Sequence, residues 1–208
     1  VVFDSYSTDS TVAIVKRYNA RVLYRVFDNE KAHREESLKI KFKNEWVYNP
    51  DADEITTIEL RDEMKKVVSL SDNENSAYKV RFKVIYQQKW MRYSSQYPVW
   101  VYRLFKPKRI RFDREINLEY ITDGHVGMLT GHFLHYTFNK GVSHWIDKHN
   151  KYSSAEALES IKSLSFRRVI ISDLISRDVC VRRKALKELS FRLPFRYFLK
   201  FIYIYIFR

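Results

Sequence analysis

Two carboxylates one residue apart, Asp51 and Asp53, stand with Glu54 directly after the short aromatic run Trp46–Tyr48. Side chains at i and i+2 beyond the end of a strand make a hard-oxygen site of the kind that holds Mg2+ or Mn2+. Such an ion can bridge a diphosphate and stabilise the charge that grows on it as a leaving group. The same residues also read as a turn, with Thr56 or Thr57 capping the helix that follows. Upstream, Asp4 ends another short apolar run and opens Asp4-Ser-Tyr-Ser-Thr-Asp-Ser-Thr11, a stretch of hydroxyls and carboxylates suited to a tight turn and a helix start. Lys31 and Arg34 lie between the two acidic blocks and read either as cations facing a ligand or as an exposed helix face. His132 and His135 could supply a third metal ligand or touch a diphosphate, with His135 the better placed; the competing reading is a hydrogen-bonded structural histidine. His144 and His149 read as helix surface, and the single cysteine, Cys180, as packing.

The elements that must position these groups alternate through the first third of the chain. Val1–Phe3, Arg21–Val26 and Trp46–Tyr48 read as strands, and Thr11–Tyr18, Asn29–Phe42 and Thr57–Val68 as helices. That rhythm predicts an α/β fold with a mostly parallel sheet, whose ligands sit beyond the carboxyl ends of the strands, where Asp4, Asp51 and Asp53 fall. Tyr78–Tyr86 and Val99–Phe105 read as further strands, Lys106–Phe112 as a basic turn and short strand, and Ile116–Leu129 as a strand with a glycine turn. All four glycines (Gly124, Gly127, Gly131, Gly141) fall in one stretch, which marks a sharp turn or a close approach of the backbone. From Gly141 onward the chain reads as helical.

Several of these blocks, in this order, resemble inverting family 2 glycosyltransferases. The turn from Asp4 to Thr11 is similar to the one whose first Asp contacts the donor nucleobase. Asn49-Pro-Asp-Ala-Asp-Glu54 resembles the family's Asp-x-Asp signature, and Phe27–Leu38 the helix that carries donor-facing basic residues. Further on, Tyr97-Pro, Arg103-Leu-Phe, Asp123-Gly-His-Val-Gly-Met-Leu, Gly131-His-Phe-Leu-His-Tyr136 and His144–Ser154 resemble the bacterial branch acting on lipopolysaccharide-core, capsule and exopolysaccharide intermediates. The resemblance implies a GT-A fold: a Rossmann-like, mostly parallel sheet flanked by helices, N-terminally incomplete because a first strand, loop and helix would precede Val1. It implies a catalytic domain over 1–140, with a nucleotide-sugar half at 1–68 and an acceptor half at 77–140, and a helical extension over 141–208. Asp4, Lys31, Arg34 and Asp51 would bind the donor. Asp53, with Asp51 and His135, would hold a divalent cation, Mn2+ or Mg2+. Inverting transfer needs a general base. The branch carries a His-Glu pair just before the Asp-Gly turn, whereas this chain has Asn117-Leu118 there. Glu119 is then the candidate base, provided a bulge shifts it by one residue, because one residue flips the face of a strand.

Hydrophobic residues make up 45% and charged residues 30% of the 208, which supports a buried core and excludes a disordered composition. One cysteine excludes an internal disulfide framework. The net charge of +13 is uneven: residues 151–208 hold 13 Lys and Arg against 5 Asp and Glu. A basic end implies an anionic partner. Arg182 to Arg208 mixes those cations with large aromatic and aliphatic residues, which suits an anionic membrane surface, and the competing reading is packing against the body of the protein. Together with the resemblance this places the chain in the cytoplasm, peripheral on the inner face of a bacterial membrane. A UDP-linked sugar would be the donor and a lipid-linked or saccharide molecule the acceptor. Nucleic acid is not expected as a partner, because no motif of that class accompanies the charge. A nucleic-acid-binding basic protein and an inactive glycosyltransferase-like remnant stay open as alternatives.

Overall fold

The computed structural model describes residues 1–71, 73–93, 97–114, 118–166, 171–177 and 179–207. The chain divides into two units, Val1–Ser153 and Ser154–Arg208.

The first unit opens with β1 (Val2–Asp4), α1 (Thr11–Arg17) and β2 (Val22–Tyr24). The two strands pair in parallel, from Val2 opposite Val22 to Asp4 opposite Tyr24, with α1 as the crossover. Then come α2 (Glu30–Leu38), β3 (Val47–Tyr48), β4 (Glu54–Thr56) and α3 (Ile58–Val68). Asn29 caps α2 by accepting from the amide of Ala32 at 2.8 Å. Thr57 caps α3 with its hydroxyl oxygen, which accepts from the amide of Leu60 while the same hydroxyl donates to the carbonyl of His132 at 2.8 Å. One side chain thereby starts the helix and ties it to a distant strand.

The main sheet adds β5 (Asn75–Tyr86), β6 (Lys89–Trp90), β7 (Trp100–Phe105) and β10 (His125–His135) in the order β3-β7-β5-β10-β4, with β6 beside β5. A one-turn 3-10 helix, Pro107–Arg109, leads into β8 (Ile110–Asp113), which pairs with β9 (Glu119–Thr122) in a separate antiparallel ribbon. On β5, Tyr78, Val80, Phe82 and Val84 are buried, while Lys79, Arg81 and Lys83 point to the other face. That is the period-two pattern of a strand with one packed face. The buried set meets Leu60 and Met64 from α3, Leu104 from β7, and Leu129 and Phe133 from β10. A second cluster, Ala77, Phe105, Ile110 and Phe112 with Leu38, Leu118 and Tyr120, fastens the β8–β9 ribbon and α2.

The expected mostly parallel, continuous sheet is not what forms. Among the described pairings only β1–β2 and β5–β10 are parallel; β3–β7, β5–β7, β5–β6, β4–β10 and β8–β9 are antiparallel. The length of the connections accounts for part of this. Short returns produce the antiparallel neighbours β5–β6, β5–β7 and β8–β9, while β3–β7 and β4–β10 pair strands far apart in the chain. β4 is a strand the sequence reading placed inside a turn. The fold is mixed α/β, compatible with a Rossmann-like glycosyltransferase.

The expected close backbone approach occurs at Gly131. A Cβ there would lie 2.9 Å from the Cα of Leu60 and 3.1 Å from a Glu63 carboxylate oxygen. The Glu63 carboxylate accepts from the amides of Thr130 and Gly131, both at 2.8 Å, so α3 and β10 are stitched together at this point.

α4 (Val142–Phe166) begins in the first unit and runs into the second, which continues with α5 (Ile171–Leu174), α6 (Val179–Ser190) and α7 (Arg196–Phe207). The helical reading from Gly141 onward begins with one long helix, α4. In the second unit Ala185 is buried and an Arg182 guanidinium donates to the carbonyl of Ser176 at 3.2 Å. Among the described residues no helix is long and apolar enough to cross a membrane. Asn117 and the side chain of Cys180 lie outside the described residues.

Candidate functional site

The turn after β3 gathers the acidic block. Asp51 lies at its bend, where the Glu54 amide donates to the Asp51 carbonyl at 3.1 Å and the Asp51 amide donates to a Glu54 carboxylate oxygen at 3.1 Å. Opposite them stands Arg103 on β7. The β5–β7 register slips between Tyr78 opposite Leu104 and Lys79 opposite Tyr102, which leaves Arg103 as the extra residue of a bulge. A bulge re-aims a side chain, and here it turns Arg103 to the acidic turn. Its Nε donates to Glu54 at 2.8 Å and an Nη donates to Asp51 at 2.6 Å. Arg34 reaches the second oxygen of the Asp51 carboxylate from α2. Asp51 is therefore clamped between two guanidiniums, one from a helix and one from a strand.

The side chains of Glu54 and Arg103 are 1% and 9% exposed. Burial works against the Arg103 charge, but the hydrogen bonds to Glu54 and the field of Asp51 outweigh it and hold the guanidinium firmly protonated. Tyr120, on β9, stacks on Tyr102 with ring centres 5.0 Å apart. Burial raises its phenol, and the charges of Arg34 and Arg103 pull it back.

Asp53 lies on the other side of the same turn. Its carbonyl accepts from the amide of Tyr136 at 2.8 Å, and a carboxylate oxygen lies 3.4 Å from Nε2 of His135 at the end of β10. His135 holds Asp53 below the usual carboxylate range, against the opposing effect of burial. The Nδ1 of His135 is buried without a hydrogen-bond partner, and Phe82 packs edge-on against the ring at 5.2 Å.

A divalent cation fits this arrangement in one particular way. Asp53 and His135 offer two donors side by side. Asp51 does not join them while both its oxygens are held by arginines. Among the described residues no group of three His, Cys, Asp or Glu converges. Mg2+ is commonly held by one or two carboxylates with substrate phosphates and water completing the shell, and Asp53 is one carboxylate that could serve in that mode, with the His135 nitrogen beside it.

Asp4 is buried at the carboxyl end of β1, and its two oxygens accept from the Ser7 amide at 2.9 Å and the Ser7 hydroxyl at 2.6 Å. The Ser7 hydrogen bonds lower its pKa. Lys31 turns to Glu35 at 3.9 Å on the face of α2, away from the inward reach of Arg34. Glu119 does not meet the condition set for it. From Ile110 opposite Thr122 to Asp113 opposite Glu119 the ribbon pairs without a slip, so Glu119 is exposed on the face opposite Tyr120. His149 folds back on Trp145, its Nδ1 2.8 Å from the Trp145 carbonyl oxygen.

No family model matches the chain. It is 28% identical over 179 residues to an uncharacterized glycosyltransferase of Rickettsia typhi, across 78% of this chain and 59% of that protein. It is equally similar over 177 residues to one from Rickettsia prowazekii, and 33% identical over 90 residues to one from Rickettsia conorii. The similarity is to glycosyltransferases. The chain spans about three-fifths of the length of the first two of these relatives.

Sequence reading placed Glu54 in the acidic block and Arg103 in a resembling block but gave neither a role in the site. The signal was available in part, since a lone arginine in the aromatic strand Trp100–Phe105 has to find a carboxylate if it is buried. Tyr120 carried no such signal, because its place depends on how the ribbon docks.

Proposed function

We infer that the chain is the nucleotide-sugar-handling part of a glycosyltransferase, moving a sugar from a nucleoside-diphosphate donor, UDP-linked, to a lipid-linked or saccharide acceptor with inversion. The observation that carries this reading is the turn Asp51–Glu54, where the Arg34–Asp51–Arg103 clamp and the Asp53–His135 pair lie back to back.

In this reading Asp53 and His135 hold a divalent cation together with the donor diphosphate. That ion supplies charge neutralisation for the departing nucleoside diphosphate. Arg103 and Glu54 fix the bend of the turn, so Asp53 is presented at a constant position. Arg34 and Asp51 lie beside the donor, where Arg34 can trade its bond to Asp51 for one to a phosphate oxygen. Asp4, held ionised by Ser7 at the end of β1, would meet the base and ribose by exchanging a Ser7 hydrogen bond for one from the donor. The rickettsial relatives carry the name glycosyltransferase, which supports the reaction class.

The second unit provides the attachment to an anionic membrane surface on the cytoplasmic side. Tyr197, Phe198, Phe201 and Tyr205 on α7 are largely exposed, and Arg192 and Arg196 stand at its start. A helix of that length with exposed aromatics and flanking cations suits the headgroup region.

The test is release of UDP from a panel of UDP-sugars in the presence of Mn2+. The wild-type chain should release UDP from one of them, and Asp53→Asn should lower the rate by 100-fold or more. Equal rates for both proteins would remove Asp53 from the chemistry and the reading with it.

A further inference from the structure

The outward face of the main sheet carries a row that the donor site does not use. Lys79, Arg81 and Lys83 alternate along β5 on the side opposite the α3-packed core. Each is parked over an aromatic ring of a neighbouring strand. Lys79 Nζ lies 4.8 Å from the centre of Tyr102, the Arg81 guanidinium 5.1 Å from Trp100, and Lys83 Nζ 4.5 Å from Trp90. Arg92 extends the row on the Trp90 side at 5.8 Å.

None of the three β5 cations makes an ion pair with a carboxylate among the described residues. A cation–π contact holds a cation in place without neutralising it, so the row keeps its charge. Arg81 also donates to the carbonyl of Thr130, which fixes its direction without changing its charge. His132, opposite Arg81 on β10, is pushed toward its neutral form by burial and then by Lys83 and Arg81. Glu63, a carboxylate in the field of Arg81, is engaged by Thr130 and Gly131. All six residues of the three pairs are partly exposed.

The row also has a direction. Tyr102, under Lys79, is the ring on which Tyr120 stacks, and Tyr120 lies in the field of Arg34 and Arg103. From there it leads along β5 for about 13 Å at roughly 3.3 Å per residue, the reach of a short oligosaccharide.

We propose that this row is the acceptor track and takes an anionic saccharide. Its sugar rings lie against the accessible edges of the partly exposed Trp100 and Trp90, and Lys79, Arg81 and Lys83 hold its carboxylate or phosphate substituents. The assignment rests on the transferase reading above, because the track is defined as leading to that site. Aromatic residues interleaved with cations also suit single-stranded nucleic acid. The saccharide is favoured because the row is short and its Lys83 end lies opposite Leu134, one residue from His135 of the proposed site.

The experiment uses the whole chain and follows tryptophan emission during titration with tetragalacturonate, with neutral maltotetraose and with an eight-nucleotide oligothymidylate. Binding of UDP with Mn2+ is measured alongside. Tetragalacturonate should bind at least 10-fold tighter than either other probe. Arg81→Gln and Trp100→Ala should each weaken it about 10-fold, Trp100→Phe should restore most of it, and UDP binding should not change in any of the three. Thermal melts confirm that the variants are folded. Failure of a folded wild-type chain to bind tetragalacturonate overturns the track, and so does tighter binding of the oligonucleotide or indifference to Arg81→Gln. If UDP binding persists in those cases, the donor reading stands without the track. If UDP binding is absent as well, both fall.

Discussion

Arg103 and Glu54 illustrate what a buried ion pair does for a site. Two charges are withdrawn from water and satisfied by each other, by Asp51 and by the Asp51 amide. Breaking such a pair from one side leaves an uncompensated buried charge, which costs about 3–5 kcal/mol. Arg103→Ala should therefore lower stability by that order in a denaturant melt, and Arg103→Lys should recover only part of it, because an ammonium cannot reproduce the fork. Asp53 provides the pH counterpart. Its pKa in the fold lies below its unfolded value, chiefly through His135. The stabilisation is thus present above the unfolded carboxylate range, near 3.9, and disappears as pH falls through the folded value. Stability measured from pH 6 down to pH 2 should drop more steeply in the wild type than in Asp53→Asn. Parallel curves would show that the pair contributes nothing. At this scale the sequence was informative for acidic residues and poor for their partners. Asp51 and Asp53 were visible as a spacing, and His135 as a candidate beside them. Arg103 depends on a bulge, which is a property of two strands in register and leaves no mark in either strand alone.

At the level of elements, α3 and β10 hold the site's floor. Thr57 ties the first turn of α3 to β10, Leu60 lies against Gly131, and Glu63 takes two β10 amides. A methyl group at Gly131 would meet backbone, which cannot give way without moving the helix. Gly131→Ala should cost about 1–3 kcal/mol, the usual penalty of overpacking, read as a lowered unfolding midpoint. No change in midpoint would mean the helix is free to slide. The helices α1, α2 and α3 and the strands β5 and β7 were legible, α2 and α3 because Asn29 and Thr57 stand where cap residues should, whereas β10 runs on to His135, past the Leu129 at which the reading ended its strand. The orientation of the strands was not legible. β4 has three residues, too few for a period, and its pairing with β10 is decided by the turn before it. The slip of one residue that would have moved Glu119 also had no local signature, and the ribbon pairs without it.

Taken as a whole, the chain separates a carboxylate–arginine site in the first unit from a basic, aromatic helical second unit. The uneven charge was readable from composition, and Tyr197, Phe198, Phe201 and Tyr205 of α7 are largely exposed. Phe198→Ser with Phe201→Ser should reduce co-sedimentation with vesicles containing 30% phosphatidylglycerol by about 10-fold or more, with little effect on the melting of the first unit. Retained sedimentation would assign the attachment elsewhere. The proposed function rests on the Asp51–Glu54 turn binding a nucleotide through a cation. The most direct measurement is a calorimetric titration of the chain with UDP, with Mn2+ and then with EDTA, beside Asp53→Ala. The expected result is binding that needs Mn2+ and weakens at least 10-fold in the variant. Binding that is the same with EDTA, or a folded chain that takes up no UDP, would contradict the account.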